Sequence, residues 1–196
     1  MAADQPRTRL ATVADRAPLA AVLSRAFAAE PLLRWIFPDA KTRPRKTARF
    51  FALVLDMDLR RNTAFTTQDL GGAALWHAPD AGSGGARGLW AALRFLALLR
   101  GDAWRVGRGL AALGSLHPPE PHWYLSYIGT DPDRQGQGVG SALLRPALER
   151  CDADGVPAYL VTATGAPFYE RHGFEPVGEH LIEGGPLLWR MLRRPA

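Results

Sequence analysis

The chain has 196 residues, 47% of them apolar and 22% charged, enough to bury a full core, and a single domain over 1–196 is expected. The net charge of +5 comes from 24 basic residues spread along the chain. Only Lys41–Lys46 forms a block, read as a solvated loop and helix start, so a nucleic-acid partner is not expected. The lone Cys151 excludes an internal disulfide or a cysteine-built metal cluster. Met1–Leu10 lacks the apolar core of a signal peptide, and Gly88–Leu99 is too short to span a bilayer, so a cytoplasmic protein is expected.

In chain order, Arg7–Ala11 reads as a short strand and Thr12 as the cap of a helix. That helix buries Leu19, Val22, Leu23, Ala26 and Phe27 on one face and is stopped by Pro31, with Glu30 at the break. The spacing of Phe50, Phe51, Val54, Leu55 and Leu59 predicts a second helix from about Thr47 to Asn62. Thr63–Thr67 and Gly72–Trp76 form a predicted hairpin about Gln68–Gly71. Residues 77–118 read as an insertion over the acceptor side. It comprises a flexible loop over Ala78–Gly88, then two helices within Leu89–Leu116, interrupted at Gly101 and at Gly107 and Gly109. From Trp123 the order is strand to Ile128, loop Gly129–Gly138, helix to about Cys151, strand Ala158–Val161, helix Pro167–Arg171 and strand Leu187–Leu192. Strands separated by helices predict a mixed α/β sheet flanked by helices.

The loop carries Arg134-Gln135-Gly136-Gln137-Gly138-Val139-Gly140. Gln135, Gly138 and Gly140 fit a Q/R-x-x-G-x-G pattern, in which glycines let the backbone approach a phosphate and the following helix offers free amides and a positive dipole end. Neither a P-loop lysine motif nor a dinucleotide fingerprint with its acidic ribose ligand is present. The pattern alone is also compatible with a plain glycine-rich turn between strand and helix.

This segment resembles motif A of the GNAT superfamily of N-acetyltransferases, and Pro167–Phe174 resembles the F-Y-x-x-x-G-F element of the same superfamily. Within it the chain is similar to the puromycin N-acetyltransferases, through Thr8–Thr12, Arg25–Ala28, Gly72–Trp76 and Trp123–Leu125. The resemblance implies a GNAT fold with a central, splayed mixed sheet. It implies acetyl-CoA as donor and direct transfer to an amine in a ternary complex. By the same resemblance Ile128, Gly129 and Thr130 would line the pantetheine arm, and Arg134, Gln135, Gly136, Gln137, Gly138, Val139, Gly140 and Ser141 the pyrophosphate. Val161 stands where the puromycin enzymes have a glutamate, and Thr162–Ala166 is two residues shorter than its counterpart.

Acetyl transfer needs a neutral amine, a stabilised oxyanion and a proton for the leaving thiolate. Tyr169 aligns with the family tyrosine that often protonates the thiolate. The oxyanion donor is expected to be a backbone amide bared by a splay or bulge in the strand ending at Gly129. Trp123–Thr130 holds no carboxylate, which leaves Glu30 as candidate base. His77, His122 and Trp76 are lesser candidates. His77, His117, His122, His172 and His180 show no pairing at ligand spacing, so no metal is expected. The reading is an N-acetyltransferase for a small, antibiotic-like amine, a monomer or homodimer. The alternatives are a protein N-terminal or lysine acetyltransferase and a non-catalytic acyl-CoA-binding module.

Overall fold

The computed structural model describes residues 6–61, 63–79 and 103–196. Along them run β1 (Thr8–Leu10), α1 (Arg16–Ala26), α2 (Pro31–Ile36), α3 (Arg43–Asp58), β2 (Ala64–Thr67), β3 (Gly72–His77) and α4 (Ala103–Ser115). Then follow β4 (Trp123–Thr130), α5 (Val139–Asp154), β5 (Ala158–Thr162), α6 (Ala166–Glu170), β6 (Glu175–Leu181) and β7 (Leu187–Arg193). The strands form one sheet in the order β1-β2-β3-β4-β5-β7-β6, with β4–β5 parallel and the other neighbours antiparallel.

Alternate strand residues face opposite sides of a sheet, and this sheet is covered on both. Ala73 and Leu75 of β3 pack with Leu19 and Leu23 of α1 and Phe51 and Leu55 of α3. Ala74 and Trp76 pack on the opposite side with Leu143, Leu144, Ala147 and Cys151 of α5. Burial on both faces explains why β3 reads as a near-continuous apolar run and why even Thr66 and Thr67 of β2 are buried. A smaller cluster joins Leu116 to Ile182 and Leu188.

Two irregularities in β4 shape the middle of the sheet. Its pairing with β5 runs only from Trp123↔Ala158 to Leu125↔Leu160, although β4 continues to Thr130, so the two parallel strands splay apart beyond Leu125. On its other edge β4 bulges: Leu75 faces Tyr127 and Trp76 faces Leu125, which leaves Ser126 as the extra residue. Leu125 packs toward α5, whereas Tyr127 packs toward α1 and α3, so the bulge inverts the strand's alternation.

The structure corrects several element boundaries. Pro31 does not stop a helix but starts one: it occupies the first turn of α2, where its missing N–H costs nothing, and Glu30 is the N-cap. α3 begins at Arg43, with Pro44 in its first turn, and ends at Asp58 before a short 3-10 turn over Leu59–Arg61. α4 runs through Gly107 and Gly109, the latter buried against Ile36 and Trp35 of α2. The strand β6 was not expected; Pro176, Gly178 and three charged or histidine side chains break any alternation, as suits an edge strand with mostly exposed residues. The first of the two expected insertion helices and all but Ala78 and Pro79 of the expected loop lie outside the described residues.

Candidate active site

β4 delivers the chain to a tight loop. Asp131 caps a 3-10 turn over Pro132–Arg134 through the Asp133 amide, and Gly136 and Gly138 adopt left-handed φ values of 73° and 78°. Gly138 caps α5, and the first helical bond runs from the Ala142 amide to its carbonyl at 3.0 Å. The amides of Val139, Gly140 and Ser141 therefore face outward at the positive end of a sixteen-residue helix, an arrangement suited to an anion. Nearby side chains tether the loop: Gln135 donates to the Thr130 carbonyl at 3.4 Å and Gln137 to that of Asp133 at 3.1 Å. The adjoining cleft, about 970 Å³, is lined by Arg7, Arg134, Arg145, Gly136, Gln137, Gly138 and Ser141. Arg134 pairs with Asp69 at 2.6 Å, while its Nε is buried without a partner.

Three loop positions serve packing. The Val139 side chain is in the core. A Cβ on Gly140 would lie 3.1 Å from the Phe168 ring, so this glycine lets α5 close on α6. A Cβ on Gly129 would stand 2.9 Å from Leu23 and 3.0 Å from Ala26, so Gly129 lets α1 close on β4. The Ser141 hydroxyl lies 3.0 Å from His172 Nε2.

A second cavity, about 1190 Å³, brings together Glu30, Asp58, His77, His117, His122, Tyr124, Tyr127, Ile128, Thr162 and Tyr169. Glu30 and Tyr169, 139 positions apart in sequence, thus share one cavity. The Glu30 carboxylate accepts the Leu33 amide at 2.7 Å. Burial raises its pKa, and the amides of Leu33 and Leu32 oppose that shift. The Tyr169 phenol is pushed up to about 12, first by burial and then by the nearby Glu30 charge, against a hydrogen bond with Thr162. Burial likewise raises Tyr124 and Tyr127. Tyr127 stands among aromatic rings, with centroids 6.0 Å from Phe27, 6.0 Å from Phe50 and 5.3 Å from Phe51.

Two histidine arrangements escaped the sequence reading. His77 Nε2 lies 3.1 Å from Asp58 Oδ1, and Asp58 is 3% exposed. His117 and His122, read from the sequence only for metal-ligand spacing, are brought into contact: His117 Nδ1 lies 3.0 Å from His122 Nε2, because Pro118-Pro119-Glu120-Pro121 turns the chain back. His122 Nδ1 in turn contacts the Glu120 carbonyl at 2.7 Å. His117 is lowered by burial, then by the proximity of His122 and His77. One signal for Asp58 was present in the sequence: it continues the apolar stripe Phe51, Val54, Leu55 of α3, where a carboxylate must find a buried partner. Trp76, by contrast, is wholly buried in the core. Among the described residues no group of three or more His, Cys, Asp or Glu could hold a metal ion, and no helix is long and apolar enough to cross a membrane.

Residues 94–176, spanning the glycine loop and α6, match the family model of the acetyltransferase (GNAT) domain. Over that stretch the chain carries an acetyltransferase (GNAT) domain, which supports an acyltransferase activity. Over 98% of both chains it superposes, with a TM-score of 0.76 and 28% identity, on a Corynebacterium glutamicum protein described as histone acetyltransferase HPA2 and related acetyltransferase. An arylalkylamine N-acetyltransferase 2 from Aedes aegypti shares the fold at 13% identity, with a TM-score of 0.66 over 98% of this chain and 100% of that one. A 54-residue segment is 39% identical to an uncharacterized N-acetyltransferase of Schizosaccharomyces pombe; it covers 26% of this chain and spans only 22% of that relative's length. The splayed seven-stranded sheet with helices on both faces is accordingly the GNAT architecture anticipated from the two motifs.

Proposed function

We propose that this GNAT enzyme moves an acetyl group from acetyl-CoA to the primary amine of a small molecule, by direct transfer in a ternary complex. The observation that carries the reading is a separation of charge. The donor cleft is lined by three arginines, one of them paired with Asp69, and by the amide-rich start of α5, which suits the polyanionic end of coenzyme A. The second cavity is lined by Glu30, Asp58 and Glu120 with an aromatic and aliphatic wall and, among the described residues, no lysine or arginine. That balance favours a cationic amine on an apolar frame over an acidic acceptor.

The pantetheine arm would add to the open edge of β4 along Ile128–Thr130, where β5 has splayed away. The pyrophosphate would sit over Arg134–Ser141. The bulge at Ser126 marks the stretch of β4 whose backbone would face the thioester oxygen. Tyr169 would protonate the departing thiolate: its raised pKa keeps the phenol protonated at neutral pH, as a general acid requires. Glu30 would meet the amine and draw in its ammonium form.

The sequence resemblance to aminonucleoside-acetylating enzymes would make antibiotic-like amines the first acceptors to try, in an enzyme proposed to be cytoplasmic, a monomer or homodimer, and to work without nucleic acid. An amine-library screen following free-thiol release from acetyl-CoA is the deciding experiment. Release with lipophilic amines supports the reading; thiol release only with lysine-bearing peptides would favour protein acetylation, which the 28% identity to a chain described as a histone acetyltransferase supports. Acetyl-CoA binding without any thiol release would leave an acyl-CoA sensor.

A further inference from the structure

We infer that His77, held by the buried Asp58 carboxylate, is the group that takes the proton from the acceptor's ammonium; this rests on the amine-acetylating reading above. The pair is assembled from the last residue of β3 and the last residue of α3, nineteen positions apart. Its two members differ in exposure: the Asp58 side chain is 4% exposed and that of His77 33%, and both line the acceptor cavity. A carboxylate can only accept, so Asp58 at 3.1 Å fixes the proton of the neutral ring on Nε2 and leaves the Nδ1 lone pair free. A proton arriving on Nδ1 makes an imidazolium whose charge Asp58 compensates at once. Among the described residues no lysine or arginine lines the cavity to oppose that charge. The other titratable groups beside His77 are Tyr124 on β4, with ring centroids 6.0 Å apart, and the His117–His122 pair, of which His117 feels His77 electrostatically.

Glu30 is less free for this task. Its carboxylate already accepts the Leu33 amide and holds the start of α2, so its charge attracts the ammonium while the helix keeps it in place. The proton balance is then complete. The ammonium gives one proton to His77 Nδ1, and the neutral amine attacks the thioester carbonyl carbon. The C–S bond breaks, the thiolate takes the Tyr169 proton, and the attacking nitrogen returns its surplus proton to the Tyr169 oxygen. His77 releases its proton to solvent before the next turnover.

The test compares His77→Gln, Asp58→Asn and Glu30→Gln with the unaltered enzyme from pH 5.5 to 9.5, using an amine found by the screen. General-base loss predicts a fall in kcat/KM of about 10²–10⁴-fold for His77→Gln. The rising limb of the kcat/KM pH profile should flatten, with acetyl-CoA affinity unchanged. Added imidazole should restore part of the rate of His77→Ala. Asp58→Asn should also lose rate, since it removes the compensating charge. A His77→Gln enzyme that keeps the native pH profile and loses only KM would overturn the proposal. A second arm needs no turnover: nitrogen NMR of the histidines in the full chain should report His77 protonated on Nε2 in its neutral form, and Asp58→Asn should abolish that preference. An Nδ1–H tautomer at His77 would overturn the proposal by itself. Absence of thiol release from the unaltered enzyme with any amine would instead defeat the parent reading.

Discussion

The two cavities are built from different materials. The donor cleft depends on main chain: two glycines in left-handed conformation and three amides at the start of α5, with arginines at the rim. The acceptor cavity depends on side chains brought from distant elements, namely Glu30 before α2, Asp58 at the end of α3, His77 at the end of β3 and Tyr169 on α6. Backbone chemistry is the same whatever the side chains, so on the proposed reading the first design would hold one donor. Side-chain chemistry can be exchanged residue by residue, so the second would set the acceptor. Substitutions should therefore separate cleanly by cavity.

Outside the His77–Asp58 pair, the largest effect is expected at Tyr169. Tyr169→Phe removes the proton donor and little volume, so kcat should fall by about 10²-fold or more while acetyl-CoA binding is retained; unchanged turnover would return Tyr169 to a packing role against Phe174. Next is Gly129→Ala. The new methyl would meet Leu23 at 2.9 Å and Ala26 at 3.0 Å, so α1 must move off β4, at a cost of about 1–3 kcal/mol. That substitution should lower Tm and disturb both cavities, since α1 leads into the Glu30 wall. Gly138→Ala meets open space but must hold φ +78°, worth roughly 1–2 kcal/mol. Its effect should appear as an approximately tenfold weaker acetyl-CoA affinity with the amine KM unchanged; equal changes in both would deny that the cavities are separable.

The same contrast governs what the sequence disclosed. The loop ahead of α5 was legible through Gln135, Gly138 and Gly140, a local pattern, and so were the β2–β3 hairpin and the apolar stripes of α1 and α3. Gly140 and Gly129 sit in the same stretch, yet they answer to Phe168 and to α1, contacts that no local pattern reveals. The Asp58–His77 pair needed the end of α3 to lie beside the end of β3, a tertiary fact only hinted at by a carboxylate on an apolar stripe. His117 and His122 were visible as residues but not as a contact, because the turn between them is made by three prolines acting together. β6 was missed for a different reason: an exposed edge strand has no buried face to impose alternation.

Glu30 offers the smallest effect and the sharpest sign. Its pKa is raised by burial, so in the folded chain it holds its proton to higher pH than in the unfolded chain. Below the ordinary glutamate value of about 4.5 both states are protonated, and the side chain adds no pH-dependent cost. As pH rises through the folded value the carboxylate ionises while buried, and the folded state is penalised relative to the unfolded one. Glu30→Gln removes that charge and keeps an oxygen for the Leu33 amide, so its Tm should match the native Tm near pH 4 and exceed it at pH 8. Glu30→Ala loses the cap as well and should cost about 0.5–2 kcal/mol at both pH values. A Glu30→Gln advantage that stayed constant with pH, or reversed, would show that the Glu30 carboxylate is solvated and leave Asp58 as the buried carboxylate of that cavity.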